Sequence, residues 1–231
     1  MCIVKQVAKQ ALNTFKFTES SLFPSQFEKL LTLAEKIKET DVGLDSELKE
    51  QTSDAPVTFI NIYEGSIFTL GIFIIRKGHS LPLHDHPGMF GVCKPLFGTL
   101  HVKSYQRLEE RHPQDSSFKN LLAVKKLPEK LVKAESVDQC QVLTPMLGNF
   151  HTISAVREDA AIFDILSPPY TNGRDCSYYR ELSTEEQKSY GIDLSSEERS
   201  NGLTFLKQIP PPASFYCDSK EYKGPIIDLD E

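Results

Sequence analysis

The 231-residue sequence has no C-x-x-C pair, no basic block and no apolar run long enough to cross a bilayer, and each absence removes a class of protein. Its five cysteines (Cys2, Cys93, Cys140, Cys176 and Cys217) are odd in number and widely scattered. That pattern fits neither a disulfide framework nor a zinc-thiolate site, and it suits reduced intracellular thiols. A net charge of -6 and a pI near 5.6, without a basic stripe, argue against nucleic acid as a partner. The longest apolar stretch, "SIFTLGIFII", is far shorter than a membrane span, so no membrane association is expected. The N-terminal "MCIVKQVAKQAL" lacks the continuous apolar core of a signal peptide. Its first acidic residue is Glu19 and it carries Lys5, Lys9 and Lys16 but no arginine, which ranks cytoplasm ahead of a transit-peptide destination and leaves mitochondrion and nucleus open.

What is present suits one main globular domain, with 39% hydrophobic and 25% charged residues. Apolar residues from Ile3 to Phe15 recur at helical spacing and predict a helix with one buried stripe. A second helix is expected from "SQFE", with Ser25 and Glu28 forming a capping box ahead of Phe27, Leu30, Leu31, Ala34 and Ile37. The acidic "TDVGLDSELKEQTSDAP" reads as a linker, which places helices and linker in residues 1–55 and the main domain in 56–231. After Pro56 the texture becomes short runs of β-branched and aromatic residues separated by turns, as in an antiparallel barrel or jelly roll. A charged insertion from Arg107 to Asp138 is expected to be a loop with hairpin strands, and the chain after Pro225 an extended surface tail.

The chemistry concentrates in "GHSLPLHDHPGMFG", Gly78 to Gly91. Residues two apart on a strand share a face, so His84 and His86 present two imidazoles to one cavity while Asp85 points away. The pair alone is equally compatible with two solvated histidines at a strand end. Gly78 and Gly98 flank it at the spacing of the first cupin motif, with Gly91 standing where that motif has glutamate. Pro145, Gly148 and His151 match the second cupin motif, with Ala155 in place of its closing asparagine. This resemblance implies His151 as third ligand. The missing glutamate departs from the two-histidine, one-carboxylate set of many non-haem iron oxygenases. Three neutral imidazoles leave a divalent ion's charge uncompensated, which favours an anionic, soft ligand such as a substrate thiolate.

"LPLHDHPGM", "FDILSPPY", "GRDCSYY" and "EYKGP", in order from about Pro56 to Pro225, resemble the cysteamine (2-aminoethanethiol) dioxygenase and plant cysteine oxidase family of cupin thiol dioxygenases. The resemblance implies a mainly β cupin barrel (a double-stranded β-helix) with N-terminal helices, Fe(II) on His84, His86 and His151, and insertion of both atoms of O2 into a thiol to give a sulfinic acid. Its implied substrates are cysteamine and the N-terminal cysteine of peptides or proteins, whose oxidation feeds degradation and so senses oxygen. By the same resemblance, Asp164 faces the cavity and orients water or the substrate amine, and Cys176 and Tyr178 lie near the metal, with a crosslink between them left open. Phe90, Met89 and Leu83 are read as apolar cavity lining, and His79, His101 and His112 have no ligand partner at motif spacing. A monomer is expected. Self-oxidation of Cys2 after loss of Met1 stays open, as does the choice between cysteamine, which suits a closed pocket, and a peptide, which needs an open groove. The rival readings are a cupin isomerase or hydrolase on another metal, and a barrel that only binds a ligand.

Overall fold

A computed structural model describes residues 2–108, 120–134, 140–171 and 173–229. The chain begins with α1 (Ile3–Phe15), α2 (Phe23–Ala34), a short 3-10 helix (Glu39–Val42) and α3 (Ser46–Lys49). The strands β1 (Val57–Glu64), β2 (Thr69–Ile75), β3 (Ser80–His84), β4 (Phe90–Phe97), β5 (Thr99–Arg107), β6 (Leu121–Lys126), β7 (Lys130–Lys133), β8 (Gln141–Leu143), β9 (Phe150–Ala155), β10 (Ala160–Ser167) and β11 (Tyr178–Glu181) follow. It finishes with α4 (Thr184–Ser189), α5 (Ser196–Ser200), β12 (Leu203–Ile209) and β13 (Cys217–Ser219).

Strand alternation decides how these pieces stack. Every residue of β10 is buried, because the strand has a core on each side. Ala160 and Ile162 face the barrel interior with Val57, Ile75 and Cys93. Ala161, Phe163 and Ile165 face outward onto a cluster built with Ile60, Ile72 and the stripe Val4, Val7, Ala8 and Ala11 of α1. The helices therefore cover the outer face of a six-stranded sheet ordered β13-β1-β2-β10-β4-β8. The second sheet runs β6-β12-β11-β3-β9-β5-β7, and a further β5–β6 pairing closes six of its strands into a ring. The fold is a mainly β cupin barrel, a double-stranded β-helix with helices on one side.

A half-buried ion pair fastens the helices to the sheet. Lys94 of β4 points outward, is 4% exposed, and its Nζ lies 3.2 Å from Glu35 Oε2 at the end of α2. The other Glu35 oxygen accepts the Cys140 amide at 2.6 Å, which anchors the entry to β8. Burial alone would raise the Glu35 carboxyl, but the Cys140 amide and Lys94 outweigh it and hold it below its ordinary value.

Several expectations change. Helix α2 starts at Phe23, not at Ser25, and Ser25 Oγ donates back to the Leu22 carbonyl instead of capping. Pro24 supplies the start one turn earlier, since it presets a helical φ and its missing N–H is one the first turn leaves unpaired anyway. The linker carries two short helices, and buried Arg76 ties it to the barrel through the Lys49 carbonyl (2.8 Å), Asp159 (3.0 Å) and Thr58 (3.1 Å). In the charged insertion β6 and β7 form no hairpin: both pair with β5, β7 along its first half and β6 along its end. Residues 109–119 and 135–139 of that insertion, and with them His112, lie outside the described residues. The chain after Pro225 runs without regular secondary structure, with Ile227 and Leu229 packed against the helical cluster. Among the described residues no helix is long and apolar enough to cross a membrane.

Removing one partner of the half-buried pair should cost far more than removing both. Glu35→Ala is expected to lower stability by about 3 kcal/mol, leaving Lys94 charged and unpaired, whereas Glu35→Leu with Lys94→Met should recover most of that loss. Denaturant melts of the two singles and the double check this through their coupling energy.

Candidate metal centre

The three histidines come from two adjacent strands and one turn. His84 ends β3 and stands directly opposite His151 of β9, and the two rings meet edge-on with centroids 4.8 Å apart. His86 lies just past the strand end. A turn returns it to the same face, with the Met89 amide on the His86 carbonyl at 3.1 Å. Asn149 clamps that turn, donating to the His86 carbonyl at 2.6 Å and accepting the His86 amide at 3.1 Å. Asp85 points away: its carboxylate accepts the Ser177 amide at 2.8 Å and the Tyr179 hydroxyl at 2.9 Å, which locks the loop onto β11.

Each imidazole is oriented by a bond on its far side. His84 Nδ1 lies 2.7 Å from the Pro82 carbonyl, and the His151 ring bonds the backbone of Gly148. His86 Nδ1 lies 2.7 Å from Tyr170 Oη, whose own proton goes to the Asp85 carbonyl at 2.9 Å. The far-side nitrogens of His84 and His86 are thus donors, and the Nε2 lone pairs are left for the centre. Burial pulls the pKa of all three rings down, and the neighbouring histidines push His86 and His151 down further. All three are neutral at physiological pH.

This donor set fits a divalent transition metal. The ligand atoms of His84, His86 and His151 lie within 4.8 Å of one another, and His86 Nε2 and His151 Nε2 are only 3.2 Å apart. With the outer nitrogens donating elsewhere, two lone pairs face each other in a buried cavity, a repulsive arrangement that a cation relieves. Among the described residues no carboxylate belongs to the group. The space at Gly91, the cupin glutamate position, is taken by leucine side chains: a β-carbon added there would lie 2.8 Å from Leu143 and 3.0 Å from a Leu166 methyl, so one of them would have to shift.

A cavity of about 230 Å³ opens beside the histidines, walled also by Asp164, Tyr170, Cys176 and Tyr178. Asp164 is 6% exposed, and burial pushes its carboxyl up to about 6 against the lowering effect of a hydrogen bond from Cys93. Cys93, its cross-strand neighbour on β4, donates its S–H to Asp164 Oδ1 at 2.8 Å. Burial and the adjacent carboxylate push the Cys93 thiol well up, which keeps that proton in place. Tyr178 lies on β11, whereas Cys176 precedes the strand; burial and Cys176 push the Tyr178 phenol up to about 12, and burial and Asp85 push the Cys176 thiol up to about 11.

Leu83, Met89 and Phe90 do not line this cavity. Leu83 sits between two inward residues and so turns to the opposite face, against the cluster of Phe150 and Tyr179. Phe90 points outward into an aromatic group with Phe15, Phe23 and Phe27 under the helices. His79 is exposed, and His101 bonds Glu129 at 2.7 Å on the surface, both away from the centre. Sequence reasoning missed Cys93, Asn149 and Tyr170. Tyr170 was visible within "FDILSPPY", but only the register of β4 with β10 shows what Cys93 touches.

Tyr170→Phe should keep the ring and lose the bond that orients His86, lowering metal affinity about tenfold or more in a chelator competition. Asp164 sets a pH dependence in the metal-free protein. Its folded-state pKa of about 6 lies above its ordinary value of 3.8, so the stability linked to it is whole below the lower value and is lost as pH rises through the higher. Asp164→Asn should remove that slope and raise neutral-pH stability by up to about 3 kcal/mol, read from melts at pH 4 to 8.

The PCO_ADO family model matches residues 31–227. The 2-aminoethanethiol dioxygenase of Mus musculus is 32% identical, over 97% of this chain and 96% of its own. That of Homo sapiens is 33% identical over 89% and 82%, and plant cysteine oxidase 1 of Arabidopsis thaliana is 31% identical over 89% and 73%. Among solved structures, the Schizosaccharomyces pombe Cnp3 cupin domain aligns with a TM-score of 0.36 and 13% identity over 64% of this chain and 80% of that one. With the family match spanning residues 31–227 and one relative covered almost end to end, this chain belongs to the PCO_ADO family.

Proposed function

We propose that this chain is a thiol dioxygenase that uses Fe(II) to convert the thiol of cysteamine, or of an N-terminal cysteine on a peptide or protein, into a sulfinic acid. The observation that carries the reading is a neutral three-imidazole centre with glycine, Gly91, where the cupin motif has its carboxylate. Such a centre lacks anionic charge, and an incoming thiolate supplies it. The relatives named 2-aminoethanethiol dioxygenase and plant cysteine oxidase support both the reaction and the two substrate types. The overall change balances as thiol plus O2 giving sulfinic acid, with sulfur losing four electrons and the two oxygen atoms gaining them. His84, His86 and His151 would hold a ferrous ion, which would supply a binding centre for thiolate and O2 and the valence change that zinc lacks.

The protein's own groups do the positioning. Asp164 receives the substrate ammonium by a charge-assisted hydrogen bond, while Cys93 holds Oδ1 and leaves Oδ2 to turn toward the ligand. The Tyr178 phenol keeps its proton at neutral pH and offers it as a hydrogen bond to oxygen arriving in the cavity. Apolar walls such as Phe73, Ile162 and Leu166 limit water beside the reacting sulfur. An isomerase or hydrolase would ask Asp164 to serve as base, and O2 uptake separates those readings from ours. The five free thiols suit a reducing compartment, and we assign the chain to the cytoplasm as a monomer, with oxygen sensing through N-terminal cysteine as its role.

The test is direct. Iron-loaded protein incubated in air with cysteamine or a Cys-initiated peptide should consume one O2 per thiol and yield a product heavier by two oxygen atoms, and zinc-loaded protein should do neither. Absence of O2 uptake with both thiols would overturn the assignment.

A further inference from the structure

The metal cavity has a neighbour at Asp164. A second cavity of about 220 Å³ shares Phe73, Asp164, Leu166 and Tyr170 with it and continues across β2 and β1 to Asn61 and Glu64. Strand register shows why a trough exists. Cys93, Asp164, Gly71 and Asn61 are consecutive cross-strand partners, so they form one row across the inner face of the six-stranded sheet. Leu166, Thr69 and Glu64 form the next row on that face. In the first row Gly71 has no side chain, and the Phe59 ring lies in that space, stacked at 4.8 Å from Phe73. The other sheet closes into its own ring through the β5–β6 pairing, and at this end Asn61 and Glu64 are exposed.

We infer that this trough is the subsite for the residues that follow an N-terminal cysteine, and that Asn61 and Glu64 select a cationic side chain on the third residue of the peptide. The inference rests on the proposed thiol dioxygenase reading and adds to it a direction for the chain and a sequence preference. Two strand spacings separate Asp164 from Asn61, roughly 10 Å. An extended peptide rises about 3.3 Å per residue, so with its ammonium on Asp164 the third residue reaches the outer row through its side chain. The aromatic floor of Phe59 and Phe73 accepts any peptide backbone laid over it. At the far end Glu64 carries negative charge and Asn61 supplies a carbonyl oxygen, which together complement lysine or arginine and disfavour glutamate. A small aminothiol such as cysteamine ends before the trough begins.

The experiment compares a Cys-Ala-Lys peptide, a Cys-Ala-Glu peptide and cysteamine on iron-loaded wild-type protein and on Glu64→Lys, a change at an exposed position. Wild type should favour the lysine peptide in kcat/KM by roughly fivefold, the range of an exposed charge pair. Glu64→Lys should invert that preference and leave cysteamine oxidation unchanged. Calorimetric titration of the two peptides without oxygen reads the same preference as affinity, so the subsite is tested even if no thiol is oxidised. An equal response to both peptides in wild type, or a preference unmoved by Glu64→Lys, would overturn the subsite. Loss of all thiol oxidation with the affinity difference intact would instead overturn the dioxygenase reading alone.

Discussion

Three imidazole lone pairs aimed at one point in a buried cavity repel one another, and much of this chain serves to hold them there. A free histidine would turn its ring to find a hydrogen bond elsewhere. Here the far-side contacts to the Pro82 carbonyl, Tyr170 and the Gly148 backbone are already made, so turning would lose a bond rather than gain one. The direct pairing of His84 with His151 fixes the spacing of two rings at the level of the backbone ladder. The third comes from a turn, the least constrained kind of segment, and that is where the Asn149 clamp lies. Rigidity is thus added where the secondary structure supplies least of it.

The helices back the opposite sheet, the six-stranded one that carries Asp164 and Cys93. The strands β2, β4 and β10 are buried on nearly every residue, and a barrel can cover only their inner face. The stripe on α1 covers the outer face, and Lys94 with Glu35 sets where α2 ends against β4. A half-buried ion pair is weak support by net energy, because desolvation offsets much of the attraction. Its use here is registry. Lys94 is the immediate neighbour of Cys93 on the strand, so the helical side of the sheet and the cavity side are fixed by the same few residues of β4.

The reach of sequence reading follows from this division. The three-histidine cluster was legible because motif spacing is a local property of "LHDH" and "MLGNFH", although His86 joins it through a turn and not by strand alternation. The barrel class was legible from β-branched runs and turn residues. Strand pairing was not, since the β5 edge shared by β6 and β7 depends on residues far apart in the chain. The misplacement of Leu83 was avoidable: alternation that sends His84 inward sends Leu83 outward. So was the omission of α4 and α5, each announced by a capping box, Ser183 with Glu186 and Ser195 with Glu198. Phe90 could not have been placed from sequence, because its partners Phe15, Phe23 and Phe27 belong to helices whose docking site no local pattern reveals.

On the proposed reading, Asp164, the carboxylate that lines the metal cavity among the described residues, would give a preference for aminothiols over thiols in general. In the usual cupin arrangement a glutamate would stand at Gly91 and neutralise the metal directly. Here the negative charge stands instead on β10, at Asp164, in a site that raises its pKa to about 6 and so makes its ionised form costly. A thiolate brings the anionic ligand the three imidazoles lack, but does nothing for Asp164. A thiol that also carries an ammonium satisfies both demands at once, because sulfur faces the histidines while nitrogen faces the carboxylate. Without the amine, the site must either bury an unpaired carboxylate or protonate it, and in neither case is the ligand's orientation fixed. On the proposed reading, a carboxylate on the cavity wall instead of in the ligand set would thereby turn charge compensation into selection for a two-headed substrate.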